Sequence, residues 1–190
     1  MEADWEVEIG RGAPVIDAGW PGLVDLRVTP DQAAQLPEAR EIPALADALV
    51  RLNAPLSPVW TAKSDVWHPE EFDPDELDAP GDAGTHAIAC YVDLLTRNDR
   101  QWATPDEVIS ATKEICARIH SAALHGCRAD LVIRRAFISP GRQDLGITAY
   151  LTACGSTRIE AASTLALAVR VFVDAVLPAH CFTDGGSTLK

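Results

Sequence analysis

Alternation of apolar and polar positions marks the strands of this chain, most clearly over residues 144–154. There Leu145, Ile147, Ala149, Leu151 and Ala153 alternate with Gly146, Thr148, Tyr150, Thr152 and Cys154. A period of two is the signature of a strand with one covered face and one polar face. The same period sets Ile88, Cys90, Val92 and Leu94 against Ala89, Tyr91 and Asp93, and Val24, Leu26 and Val28 against Asp25 and Arg27. Over residues 59–68 it sets Trp60, Ala62, Val66 and His68 against Thr61, Lys63, Asp65 and Trp67. Residues 130–138 are apolar on both faces apart from Arg134 and Arg135, and a weaker strand pattern passes through Trp5, Val7 and Ile9.

Helical periodicity follows three start signals led by threonine. Thr29-Pro30-Asp31-Gln32, Thr104-Pro105-Asp106-Glu107 and Thr157-Arg158-Ile159-Glu160 each have Glu or Gln three residues after the Thr, the composition of a capping box. Proline at the first helical position, in two of the three, gives up no hydrogen bond. After Thr104 the apolar positions Val108, Ala111, Ile115, Ile119 and Ala122 form one face that stops near Gly126. After Thr157 the apolar positions Ile159, Ala162, Leu165, Ala166, Val169, Phe172, Val173 and Val176 cover most of the circumference. That pattern predicts a helix buried on two sides, against the sheet and against a partner. The first signal predicts only a short turn before Pro37, and a second start at Pro43 leads into Leu45, Leu49 and Leu52, with Asn53 as the cap.

A short repeat suggests how these elements connect. Val24-Asp25-Leu26 precedes Thr-Pro-Asp-Gln, and Val92-Asp93-Leu94 precedes Thr-Pro-Asp-Glu. Two tandem βαβ halves make a ferredoxin-like βαββαβ core, here extended by a strand at 144–154 and a helix at 157–178. The expected fold is α+β: a mixed, mostly antiparallel sheet of five or more strands with three helices mainly on one face. Residues 1–190 read as a single domain, with an acidic insertion at 69–85 inside a hairpin and a flexible tail at 183–190.

Composition narrows the function classes. The formal net charge is −12, and eleven of the 28 acidic residues fall in two stretches free of Lys and Arg: Glu2, Asp4, Glu6 and Glu8, then Glu70, Glu71, Asp73, Asp75, Glu76, Asp78 and Asp82. Such a surface disfavours nucleic acid and anionic membranes, though the nearly balanced remainder leaves room for a small-molecule ligand. Acids occupy the N-terminus where a signal peptide needs a basic region. The five cysteines, Cys90, Cys116, Cys127, Cys154 and Cys181, are odd in number and lie in apolar segments, as reduced thiols of a cytoplasmic protein do. No CxxC, P-loop, dinucleotide fingerprint or G-x-S-x-G is present, so no cofactor is indicated.

The face away from the helices is predicted to carry the chemistry. The assumed strand order sets Asp25 and Asp93 on adjacent strands, a carboxylate pair suited to acid–base work, with Arg134 or Lys63 as an anion clamp. Against this stands plain cross-strand charge pairing, Asp25 with Arg134 and Asp93 with Lys63. Trp67, Tyr91 and Tyr150 share that face and are the candidate ligand contacts. His68 and His86 flank the insertion and, with Glu70, Glu71 or Asp73, could form a His₂-carboxylate metal site. The leading expectation is a non-catalytic domain that self-associates as a homodimer or binds a ligand. The alternatives are an enzyme using Asp25 and Asp93, and a metal-binding module using His68 and His86.

Overall fold

The computed structural model describes residues 1–81, 84–97, 102, 104–139 and 142–177. Its strands are Glu2–Glu8 (β1), Val15–Asp17 (β2), Val59–Trp67 (β3), His86–Thr96 (β4), Cys127–Ser139 (β5) and Arg142–Gly155 (β6). A 3-10 helix spans Pro30–Gln35, and the α-helices are Pro37–Glu41 (α1), Pro43–Leu52 (α2), Pro105–His120 (α3) and Arg158–Val176 (α4). The result is an α+β fold, with a mixed sheet of six strands and five helices among the described residues, where three helices were expected. The tail expected at 183–190 lies outside the described residues. Among the described residues no helix is long and apolar enough to cross a membrane.

The sheet runs β1-β5-β6-β4-β3, and β2 pairs with β5 beyond the end of β1. β1 and β2 lie parallel to β5, and the remaining pairs are antiparallel. The ferredoxin-like core is therefore replaced by another arrangement, because residues 24–28 do not form a strand. The Val28 and Thr29 amides donate back to the Asp25 carbonyl, and the Arg27 amide and guanidinium donate to the Asp25 carboxylate at 3.0, 2.8 and 2.7 Å. The place beside β4 goes instead to β6, which pairs with β4 on one side and β5 on the other. Pairing with β5, its neighbour in sequence, covers one edge of β6 at little loop-closure cost, and β4 covers the other. The element order instead repeats a ββα succession, β3-β4-α3 followed by β5-β6-α4.

The helix layer covers one face of the sheet. Ile88, Cys90, Val92 and Leu94 of β4, Leu131 and Ile133 of β5, and Ile147, Ala149 and Leu151 of β6 enter this main core. α4 lies on β6 and touches both α2 and α3. A sheet beneath and a helix on each flank cover most of its apolar circumference, leaving Ile159 and Leu167 facing outward. The buried Asn53 at the end of α2 donates to the Leu49 carbonyl at 2.8 Å and accepts from the Thr61 amide at 3.1 Å, tying that helix to β3.

The three threonine signals have three outcomes. Thr104 forms the full capping box with Glu107. Thr157 accepts from the Glu160 amide, but the Glu160 carboxylate turns to the Ser156 amide at 2.9 Å. Thr29 makes no side-chain cap bond; its hydroxyl donates to the Asp25 carbonyl at 3.1 Å.

The opposite face is covered at its two ends and bare in the middle. At one end Ile16 and Ala18 close over Trp60, Ala62, Leu95 and Ala136 in a second small core. A bulge between Thr61 and Ser64 shifts the register of β3 against β4, so Trp60 and Ala62 share this face with Asp65 and Trp67 rather than opposing them. At the other end the acidic insertion folds back, and Leu77 and Phe72 pack on Ala87 and Cys154. Asp78 holds that flap down: its carbonyl accepts from the Gly126 amide at 3.2 Å, and its carboxylate meets His125 Nδ1 at 2.5 Å.

Candidate functional site

Between the two covered ends lies a cleft of about 350 Å³. Its floor is built by side chains of one parity from adjacent strands: Tyr91 and Asp93 of β4, Thr148 and Tyr150 of β6, and Arg134 of β5, with Lys63 entering from the bulge of β3. Its wall is the segment Val15–Asp17 with Trp20. Two glycines make this wall possible. A Cβ on Gly146 would come within 2.7 Å of Ile16 Cδ1 and 2.8 Å of the Leu94 carbonyl, so only glycine lets β2 lie this close to the sheet. Gly22 has φ +102°, and a Cβ there would approach the Trp20 ring to 3.0 Å.

Asp93 is the centre of the floor. It is only 7% exposed, and the Thr148 hydroxyl donates to its Oδ1 at 2.6 Å. Burial pushes its carboxyl above the ordinary value, against the opposing pull of Thr148, Arg134 and Lys63. Oδ2 has no hydrogen-bond partner among the described residues, and it is not enclosed, so it opens into the cleft.

The two cations of the site differ in what they have left to offer. Arg134, with its side chain 14% exposed, donates through Nε and Nη2 to Glu8 Oε2 at 3.1 and 2.8 Å. Its Nη1 donates to the Tyr150 hydroxyl at 2.9 Å and lies 3.5 Å from Thr148 Oγ1. Lys63 is exposed and is held above its ordinary pKa chiefly by the Tyr91 hydroxyl, whose own value burial raises. Its ammonium stands 6.0 Å from the Trp20 ring. The Trp20 indole N–H is buried and has no partner among the described residues.

Aromatic rings form the far rim. Trp67, Tyr91 and Tyr150 pack mutually, with ring centroids 6.3, 6.3 and 5.9 Å apart. Trp67 remains 37% exposed. Tilted and edge-on contacts of this kind hold rings in fixed orientations.

The structure thus gathers Lys63, Trp67, Tyr91, Asp93, Arg134 and Tyr150 on one face, as the alternation predicts. Asp25 does not join them. It sits in the turn at 25–29 on Arg27, which holds its carboxyl below the ordinary value, and neither aspartate has the other among its charged neighbours. The carboxylate pair is not assembled, because it required a strand at 24–28. Nor does Arg134 meet Asp25; its carboxylate partner is Glu8.

The two histidines are likewise placed apart in role. His68 Nε2 lies 2.8 Å from Glu41 of α1 and its Nδ1 3.4 Å from the Ala87 carbonyl. His86 is exposed at the start of β4, opposite Gly155 of β6. Among the described residues no three His, Cys, Asp or Glu side chains are grouped to hold a metal ion.

Two contributors were not identified from sequence. Glu8 belongs to a run of acids at every second position from Glu2, which signals one charged strand face but not which base it meets. Trp20 precedes Pro21-Gly22, a turn composition that carries no information about where the ring folds. Comparison with family models, with curated proteins and with solved structures finds no match to this chain.

Proposed function

We propose that this protein is a binding domain that takes a small molecule in the cleft on the open sheet face. The observation that carries the reading is Asp93, a carboxylate held almost fully buried with one oxygen bonded to Thr148 and the other opening into a cleft of about 350 Å³. Burying a carboxylate costs stability unless it is fully paired, and binding sites are where such a cost has a use. The volume lies in the range of small-molecule sites, and the floor is held by hydrogen bonds before any ligand arrives. A ligand screen followed by amide and indole NMR shifts tests it. Shifts clustered at Asp93, Thr148 and Tyr91 are expected, and hits that all map elsewhere would end the proposal.

The same carboxylate favours a second reading, acid–base catalysis by Asp93 alone. Its raised pKa, in a cleft beside Lys63, is the observation behind it. Asp93→Asn would then abolish turnover while substrate still binds; turnover by that variant would remove this reading.

We place the protein in the cytoplasm, a reading supported by four buried free thiols, Cys90, Cys116, Cys127 and Cys154. Self-association, expected from the sequence, would use the outward positions Ile159 and Leu167 of α4, which are 82% and 46% exposed. Light scattering at micromolar concentration decides that point, and a monomer's mass removes it.

A further inference from the structure

We propose that the cleft selects a neutral, planar molecule with a donor–acceptor edge, such as an amide, urea or nucleobase-like group, whose N–H meets Asp93 Oδ2 and whose carbonyl meets Lys63. This inference rests on the binding reading above and names its ligand class.

Arg134 reads from sequence as an anion clamp, but each of its three nitrogens is already within hydrogen-bonding reach of Glu8, Tyr150 or Thr148. Its charge is matched by Glu8 at 2.8 Å. What stays open toward the cleft is Asp93 Oδ2 as an acceptor and, beside its bond with the Tyr91 hydroxyl, the Lys63 ammonium as a donor, whose carboxylate neighbours are Asp93 and Asp65. Asp17 lines the wall, its Oδ1 accepting from the Gly19 amide at 2.9 Å. With Glu8 counted against Arg134, the charges left at the cleft are Lys63 against Asp93 and Asp17, so the cleft carries no net positive charge. An anionic ligand on Lys63 would face the Asp93 carboxylate, and a cationic ligand on Asp93 would face Lys63 and Arg134. A neutral edge satisfies both groups without adding charge. Trp20, which walls the Lys63 end, also has an indole N–H without an acceptor among the described residues. The flat surroundings of Trp20 and the two tyrosines suit a planar body. Polar sites of this kind discriminate strongly, because a ligand lacking the matching group leaves buried atoms unpaired.

Three probes of nearly equal shape isolate the charge: benzamide, benzoate and benzylamine, each titrated into the full chain and followed by amide and indole NMR shifts. Benzamide is expected to move Asp93, Thr148 and Tyr91 and to bind at least tenfold more tightly than either charged probe. Benzoate or benzylamine binding in the cleft as tightly as benzamide would overturn the ligand class and leave the binding reading standing. No shift in the cleft with any of the three would remove both. In Lys63→Met, an exposed position where folding is not at stake, and in Asp93→Ala, benzamide binding should fall at least tenfold. Unchanged affinity in the well-folded Lys63→Met protein would by itself contradict the assignment.

Discussion

Thr148 stands directly opposite Asp93 in the β4–β6 ladder, and its hydroxyl donates to Asp93 Oδ1 at 2.6 Å. That single bond does not offset burial, which holds the Asp93 carboxyl above its ordinary 3.8. The folded protein therefore binds this proton more tightly than the unfolded chain does. Its contribution to stability is fully present below about 3.8 and is lost as pH rises through the folded value. Asp93→Asn removes the cost of the buried charge. It should stabilise the protein at pH 7 by about 0.5–2 kcal/mol, the usual gain when a functional site is relaxed. The advantage should vanish below the ordinary carboxyl value, and urea denaturation at the two pH values compares them. A variant less stable at pH 7 would show that Thr148, Arg134 and Lys63 outweigh burial.

Glu8 neutralises Arg134 inside the sheet face, and its removal has two consequences. Glu8→Gln leaves a guanidinium with its side chain 14% exposed and without its counter-charge. A loss of about 1–3 kcal/mol is expected for a buried group deprived of its charged partner. The same change frees Arg134 as an anion site, so the preference among the probes should move from benzamide toward benzoate. A preference unaltered in a folded Glu8→Gln protein would mean that Glu8 does not set the charge of the cleft.

Gly146 is where β2 lies against the sheet, and the closest contacts of an added Cβ include backbone, which cannot swing aside. Gly146→Val should cost at least about 1–3 kcal/mol, the range for forcing volume into a packed site. It should also detach the wall of the cleft, since Ile16 would have to lift. Increased proteolysis within residues 10–22, with the helix layer unaffected by circular dichroism, is the expected result.

Thr104 and Gln32 stand in sequence motifs that look alike and should respond differently. Thr104→Ala opens a closed capping box and should lower stability by about 1 kcal/mol. Gln32→Ala touches a signal whose threonine makes no side-chain cap bond and should stay within about 0.5 kcal/mol of the parent. Thermal denaturation of the two variants side by side makes the comparison.

Much of the site was legible because parity is local. Tyr91 and Asp93, and Thr148 and Tyr150, are two residues apart on their strands, and a pleated backbone sends such pairs to the same side whatever the strand's neighbours. Trp67 and Lys63 were assigned to that side correctly, although Trp60 and Ala62 were not, since a bulge inserts one residue and reverses the phase without any mark in the pattern. Helix α4 marks the other limit. An apolar circumference reports that a helix is surrounded, while only packing shows that α2 and α3 do the surrounding.

The sequence by itself determined which segments become the long strands and the capped helices, and, outside the β3 bulge, which faces of those strands are apolar, and hence that Lys63, Trp67, Tyr91, Asp93, Arg134 and Tyr150 share one side. Each of these follows from interactions within a few residues. Tertiary structure alone decided that 24–28 is a turn, that β6 rather than that segment lies beside β4, that Glu8 takes Arg134, and that Trp20 walls the cleft. These are outcomes of competition between distant segments for the same sheet edge, counter-charge or apolar surface. A residue's own neighbours along the chain do not encode which rival wins.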